Sequence, residues 1–209
     1  MEEVKSLENV TKENEIKLFK TYSFDGVVVN DLGLKNVISL KPVIVPKTSG
    51  RLSQQRLARE RMSIVERLIN HLMIPGHRGK KHLRTSKLMS GRFNTASNLV
   101  ESAFDMISKD GLNPLQVLVK AIENSSPKEE VMTLLIGGQR LAKQVDTAPV
   151  RRVDLALRWI AEGTYQLSAT GKKADRALYE ILTQAANNQD IAFPISKRID
   201  TERQAASSR

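Results

Sequence analysis

Arginines crowd one short stretch of the chain: Arg51, Arg56, Arg59, Arg61 and Arg67. A guanidinium is planar, always charged, and donates two parallel hydrogen bonds to a phosphate, so this residue type at this density points to a phosphate-rich partner. Arg56 and Arg59 are three apart and share a face if the segment is helical. A second basic group follows in Gly76-His77-Arg78-Gly79-Lys80-Lys81-His82-Leu83-Arg84. Its glycines let backbone amides approach an anion closely, but it lacks the Gly-x-x-x-x-Gly-Lys-Ser/Thr order of a nucleotide-binding loop. A third group is Ile136-Gly137-Gly138-Gln139-Arg140, which reads as a hairpin tip able to touch a backbone or a base edge. The fourth is Arg151-Arg152, at the expected start of a helix. Cations there oppose the helix dipole, so they read as serving a ligand rather than the helix. The plainer alternatives are a solvated face, a loose basic loop, a packing hairpin and an unremarkable exposed pair.

The distribution of charge favours the ligand readings. The 209 residues carry 33 Lys+Arg and 23 Asp+Glu, a net charge of +10. Residues 46–92 hold twelve Lys or Arg and two carboxylates, a net +10 equal to the excess of the whole chain. Such a block is the footprint of a polyanion, whose condensed counterions are released on binding. Acidic lipid suits it poorly, because no row of large apolar residues faces the charges. Aromatic residues make up 4% of the chain, too few for an extended base-stacking platform. Charge, shape and hydrogen bonds must then carry recognition.

Catalysis has little support. His71, His77 and His82 form no His-Glu-x-x-His helix, and neither Gly-x-Ser-x-Gly nor Gly-x-Gly-x-x-Gly occurs. With no cysteine there is no thiol nucleophile, Cys-ligated zinc or disulfide, which suits a reducing compartment. No apolar run is long enough to span a bilayer, and the first residues lack the pattern of a signal peptide. The expectation is a protein that is not an enzyme, takes no cofactor or metal, and works away from membranes in the cytoplasm.

Residues 1–15 are charged and unpatterned. Val27-Val28-Val29 and Val37-Ile38-Ser39-Leu40 predict short strands or extended arms. From about Glu60, Ile64, Val65, Leu68, Ile69, Leu72 and Met73 recur at helical spacing. Further helices are predicted from Ala96 to Ile107, after the N-cap and proline of Asn113-Pro114, after Pro149, after Gly171 and around Pro194. Between them, residues 130–146 read as a β-hairpin turning on Gly137-Gly138. The fold class is mainly α: a bundle of about six helices with one protruding hairpin and an extended basic N-terminal arm. Residues 1–50 form a partly extended or mobile extension, and 51–209 a single helical domain.

Several runs taken together resemble a known family. They are Ser63-Ile64-Val65-Glu66-Arg67-Leu68-Ile69-Asn70, Gly79-Lys80-Lys81, Asn113-Pro114-Leu115-Gln116-Val117-Leu118-Val119-Lys120-Ala121-Ile122, Ile136-Gly137-Gly138 and Val145-Asp146-Thr147-Ala148-Pro149-Val150-Arg151-Arg152-Val153. In this order they closely resemble small-ribosomal-subunit protein seven, the universal head protein, across residues 47–209. Ile16-Lys17-Leu18-Phe19 and the runs after it resemble the extension of the archaeal type. The loop around Leu83–Phe93 is longer than the family pattern, and Leu141 stands near a position often aromatic in bacterial members. The resemblance implies a structural protein that binds the 3′ major domain of small-subunit rRNA, nucleates head assembly, and lies beside other ribosomal proteins of the head and platform. It also implies a hairpin facing exit-site tRNA and the mRNA exit path. The rRNA-contact candidates are Lys47, Arg51, Arg56, Arg59, Arg61, Arg78, Lys80, Lys81, Arg84, Lys87, Arg92, Arg151 and Arg152, and the tRNA-contact candidates are Gly137, Gly138, Gln139 and Arg140. A dedicated homo-oligomer is not expected. Two other classes explain less. A helix-turn-helix regulator needs its charges on a recognition helix, and a module pairing through its hairpin leaves the basic block without a purpose.

Overall fold

The computed structural model describes residues 16–52, 54–74 and 91–208. Among them run seven helices and one hairpin: α1 (Ala58–Arg61), α2 (Ile64–Leu72), α3 (Phe93–Lys109), α4 (Pro114–Ser125), β1 (Glu129–Ile136), β2 (Gln139–Asp146), α5 (Pro149–Ala169), α6 (Ala174–Ala186) and α7 (Phe193–Ala206). The first predicted helix is divided in two. Met62 and Ser63 adopt extended backbone, and α2 starts where the Ile64 amide donates to the Ser39 carbonyl. The Asn113 side chain accepts from the Leu115 amide at 3.0 Å, with Pro114 in the first turn of α4, so this helix starts as its sequence predicts.

Helix α6 is the hub, packing against α3, α4 and α5. Its Ala177, Leu178, Ile181, Leu182 and Ala185 are all buried, and the alanines let neighbouring helices come close. Asn124 of α4 closes the far end of α6 by donating to the Ala185 and Ala186 carbonyls at 3.0 and 2.9 Å, satisfying acceptors that the helix cannot satisfy itself. Phe104, Leu118, Ile122 and Leu157 fill the centre. No helix among the described residues is long and apolar enough to cross a membrane.

Residues 16–45 hold turns, isolated bridges and irregular stretches; of the two expectations, strands or extended arms, the strands do not form. The reason lies in what satisfies the backbone. The Val28 amide and carbonyl bond the Gln116 side chain, and the Asn30 and Asp31 amides both donate to Glu123 Oε1. Side chains seven apart on α4 thus take the place of a partner strand. The segment also contributes Leu18, Tyr22, Leu34, Val37 and Ile38 to the main core, so this described part of the extension is packed rather than loose.

The hairpin forms at the expected place. Its antiparallel register pairs Leu134 with Leu141 and Ile136 with Gln139, and Gly137 and Gly138 take φ of 58° and 82° at the turn. Two consecutive positive φ angles match the strand twist, which glycine allows without a Cβ penalty. The base of the hairpin packs on α7, where Glu202 accepts from the Lys128 amide. Met132, Leu135 and Leu141 stay exposed, so the hairpin projects beyond that contact.

Candidate nucleic-acid interface

The sequence candidates within the described residues fall into two groups, separated by what holds their side chains. Lys47, Arg51, Arg56, Arg61, Arg92 and Arg140 are exposed, and among the described residues no carboxylate lies within ion-pair range of them. Lys47 places its ammonium 5.2 Å from the centre of the Phe93 ring, which brings the basic arm to the start of α3 beside Arg92. Arg51 turns back to the Thr48 carbonyl, and Arg61 donates to Gln55. The arm is fixed from below by Glu66, whose Oε1 accepts from both the amide and the hydroxyl of Thr48 at 2.8 and 2.7 Å. Gly137, Gly138, Gln139 and Arg140 are exposed together at the hairpin tip. Arg78, Lys80, Lys81, Arg84 and Lys87 lie outside the described residues.

The second group, Arg59, Arg151 and Arg152, is held by carboxylates. Arg152 is 8% exposed and donates to Asp31 at 2.6 Å and to the Ser126 hydroxyl at 3.1 Å. Gly33 runs so close that an added Cβ would lie 3.2 Å from this guanidinium. Arg152 therefore ties the N-terminal extension to α5. Burial would raise the Asp31 carboxyl, but hydrogen bonds from Arg152 and the Gly33 amide outweigh it and hold it below the ordinary carboxylate range. Arg151 donates from Nε to both oxygens of Glu130. The repulsion expected between these cations and the N-terminus of α5 is thus offset by two carboxylates of the protein itself. A surface ligand is not needed to explain Arg152.

Asp154 is the centre of the most connected polar cluster. Its Oδ1 accepts from Arg67 at 3.0 Å, its Oδ2 accepts from Arg59 at 2.7 Å, and His71 Nε2 approaches to 3.8 Å. Arg67 is 3% exposed and also donates to the Val37 carbonyl, so one buried guanidinium joins α2, α5 and the extension. Burial pushes the Asp154 carboxyl up, yet His71, Arg67 and Arg59 together bring it well below the usual carboxylate range. The sequence reading missed this cluster. Its legible part is Arg59 and Arg67 in the arginine-rich stretch; nothing local in the sequence joins them to Asp154, some ninety residues on.

The family model for ribosomal protein S7p/S5e matches residues 34–209. The small ribosomal subunit protein uS7 of Nanoarchaeum equitans (strain Kin4-M) is 39% identical over 197 residues, covering 93% of this chain and 100% of that one. The small ribosomal subunit protein uS7 of Cenarchaeum symbiosum (strain A) is 40% identical over 194 residues, covering 92% of this chain and 96% of its own. Both relatives are archaeal, in keeping with the archaeal type of the N-terminal extension. The chain belongs to the ribosomal protein S7p/S5e family, whose members are structural rather than catalytic.

Proposed function

We propose that the protein is a cytoplasmic structural constituent of the small ribosomal subunit. It binds the 3′ major (head) domain of small-subunit rRNA, nucleates head assembly beside neighbouring ribosomal proteins, and holds its hairpin near exit-site tRNA and the mRNA exit path. One observation carries this reading. The whole charge excess lies in residues 46–92, and its described, unpaired cations stand exposed on the arm, on α1 and at the start of α3. A rigid bundle presenting separated arginine clusters suits folded RNA, whose phosphates and 2′-hydroxyls are read largely by shape. The scarcity of aromatic residues fits a binder that does not stack on bases.

The test is a titration of the full chain against the 3′ major domain RNA, with duplex DNA of equal length as competitor, across several salt concentrations. Binding should weaken with salt in proportion to the phosphates neutralised, while the preference for RNA persists. Equal affinity for both, collapsing together as salt rises, would reduce the basic block to a general polyanion patch.

The hairpin has a separate role on this reading. Shortening it across residues 136–140 removes Gly137, Gly138, Gln139 and Arg140 but leaves its contact with α7. Binding to the head domain should stay within about twofold of the full chain, since none of the rRNA-contact candidates lies in residues 136–140. Exit-site tRNA occupancy on assembled subunits should fall. Loss of head-domain binding in this variant would contradict the division of roles.

A further inference from the structure

The basic block of residues 46–92 contains two carboxylates, Glu60 and Glu66. Glu66, on α2, is 4% exposed. A charge is costly to bury unless it is paired and hydrogen-bonded. Among the described residues no cation lies within ion-pair range of Glu66, and its Oε2 is buried without a hydrogen-bond partner. The adjacent Arg67 is committed to Asp154 and the Val37 carbonyl. What the carboxylate does hold is Thr48, whose amide and hydroxyl both donate to Oε1 at 2.8 and 2.7 Å.

Thr48 is in turn the fixed point of the arm. The Arg51 amide donates to its carbonyl at 3.1 Å and closes a tight turn, and Arg51 Nε reaches the same carbonyl at 3.3 Å. The two central residues of that turn, Ser49 and Gly50, take φ of 51° and 78°. Glycine accepts this conformation freely, but a serine side chain disfavours it, so the turn persists only while surrounding contacts impose it. On the other side of Thr48, Pro46 is buried and Lys47 stands over the Phe93 ring. Lys47 and Arg51, both exposed, thus flank a residue whose only side-chain anchor is an oxygen of Glu66 among the described residues.

We propose that Glu66 is a positioning residue for RNA recognition: through Thr48 it presets Lys47 and Arg51, so that the arm is ordered in the free protein rather than on binding. The inference rests on the rRNA-binding reading above. It gives an acidic residue a favourable part in binding a polyanion. The charge of Glu66 opposes the phosphates, while its hydrogen bonds favour them by lowering the entropy lost when the arm engages. The two effects have opposite signs, which makes the role measurable.

The test measures binding of full chains to the 3′ major domain RNA over a range of salt, with duplex DNA as competitor. Glu66→Ala should lose about tenfold in affinity although it makes the protein more basic, and its salt slope should stay at the wild-type value, since the arm still reaches its phosphates. Glu66→Gln keeps a carbonyl oxygen able to accept both Thr48 bonds, and should bind within about twofold of the wild type. Thr48→Val leaves α2 intact and removes only the hydroxyl bond; a loss of about threefold is expected. Lys47→Gln with Arg51→Gln should lower both affinity and slope, the slope by about two. Adding Glu66→Ala to that pair should then cost little more, because the groups it positions are gone. Tighter binding by Glu66→Ala, the result of charge alone, overturns the proposal. So does a tenfold loss repeated in the Lys47→Gln, Arg51→Gln background, which would mean that Glu66 acts through the fold at large. An unchanged slope in the Lys47→Gln, Arg51→Gln chain removes the arm from the interface and overturns the positioning role while rRNA binding stands. A wild type that binds duplex DNA as tightly as the RNA overturns the rRNA reading itself.

Discussion

Asp154→Ala should destabilise the fold by about 3 kcal/mol, at the lower end of the range for breaking a buried ion pair. The lower end applies because the Asp154 side chain retains 21% exposure while Arg67 retains 3%. Among the described residues, the substitution leaves the buried Arg67 guanidinium with the Val37 carbonyl as its one acceptor and removes the anchor of Arg59. A domain is stable by about 5–15 kcal/mol, so the loss is a large share. Urea denaturation should show a lower midpoint with an unchanged slope. A pH series gives an independent readout. The Asp154 carboxyl titrates below its unfolded value, so its contribution is present above that value, about pH 4, and is lost as acid carries the protein down through the folded value. Wild-type stability should therefore fall with decreasing pH below about 4 more steeply than that of Asp154→Ala. Asp31, also lowered, should continue to titrate in both proteins. Parallel acid curves for the two would mean that Asp154 is not held by its cations.

Phe104→Ala should cost about 3–5 kcal/mol, the range for emptying a large buried aromatic site. Phe104 is fully buried on α3, and its ring meets Tyr22 edge to face with centroids 5.8 Å apart. Tyr22 in turn bonds the next residue of α3, Asp105, through its hydroxyl. The cavity would open where the N-terminal extension docks on the helices. Amide exchange should then show lost protection around residues 18–22 before the α4–α6 pairing is affected, because that pairing is made by other side chains. A loss below about 1 kcal/mol would mean that the site collapses around the missing ring, contrary to close packing there.

The parts of this fold legible in the sequence are those whose cause is local. Asn113-Pro114 marked a helix start because the cap bond spans two residues. Gly137-Gly138 marked the hairpin because the turn needs two positive φ angles in succession. The stripe Ala177, Leu178, Ile181, Leu182 and Ala185 gave α6 its buried face through helical periodicity alone. The resemblance to the S7 family was legible for a similar reason, since it rests on contiguous runs. Val27-Val28-Val29 left strand and extended arm open because β-rich composition does not say what the backbone will bond, and Gln116 and Glu123 lie some ninety residues away.

The candidate site divides in the same way. That the chain is basic in one block, helical with a hairpin, and suited to a phosphate-rich partner is legible along the sequence, because net charge and periodicity are sums over neighbouring residues. Which arginines are available depends on partners that folding brings from distant parts of the chain. Arg151 and Arg152 are adjacent in the chain, yet successive residues on a helix point about 100° apart. One therefore lines an open groove over α5, while the other is buried against Asp31 from the N-terminal extension.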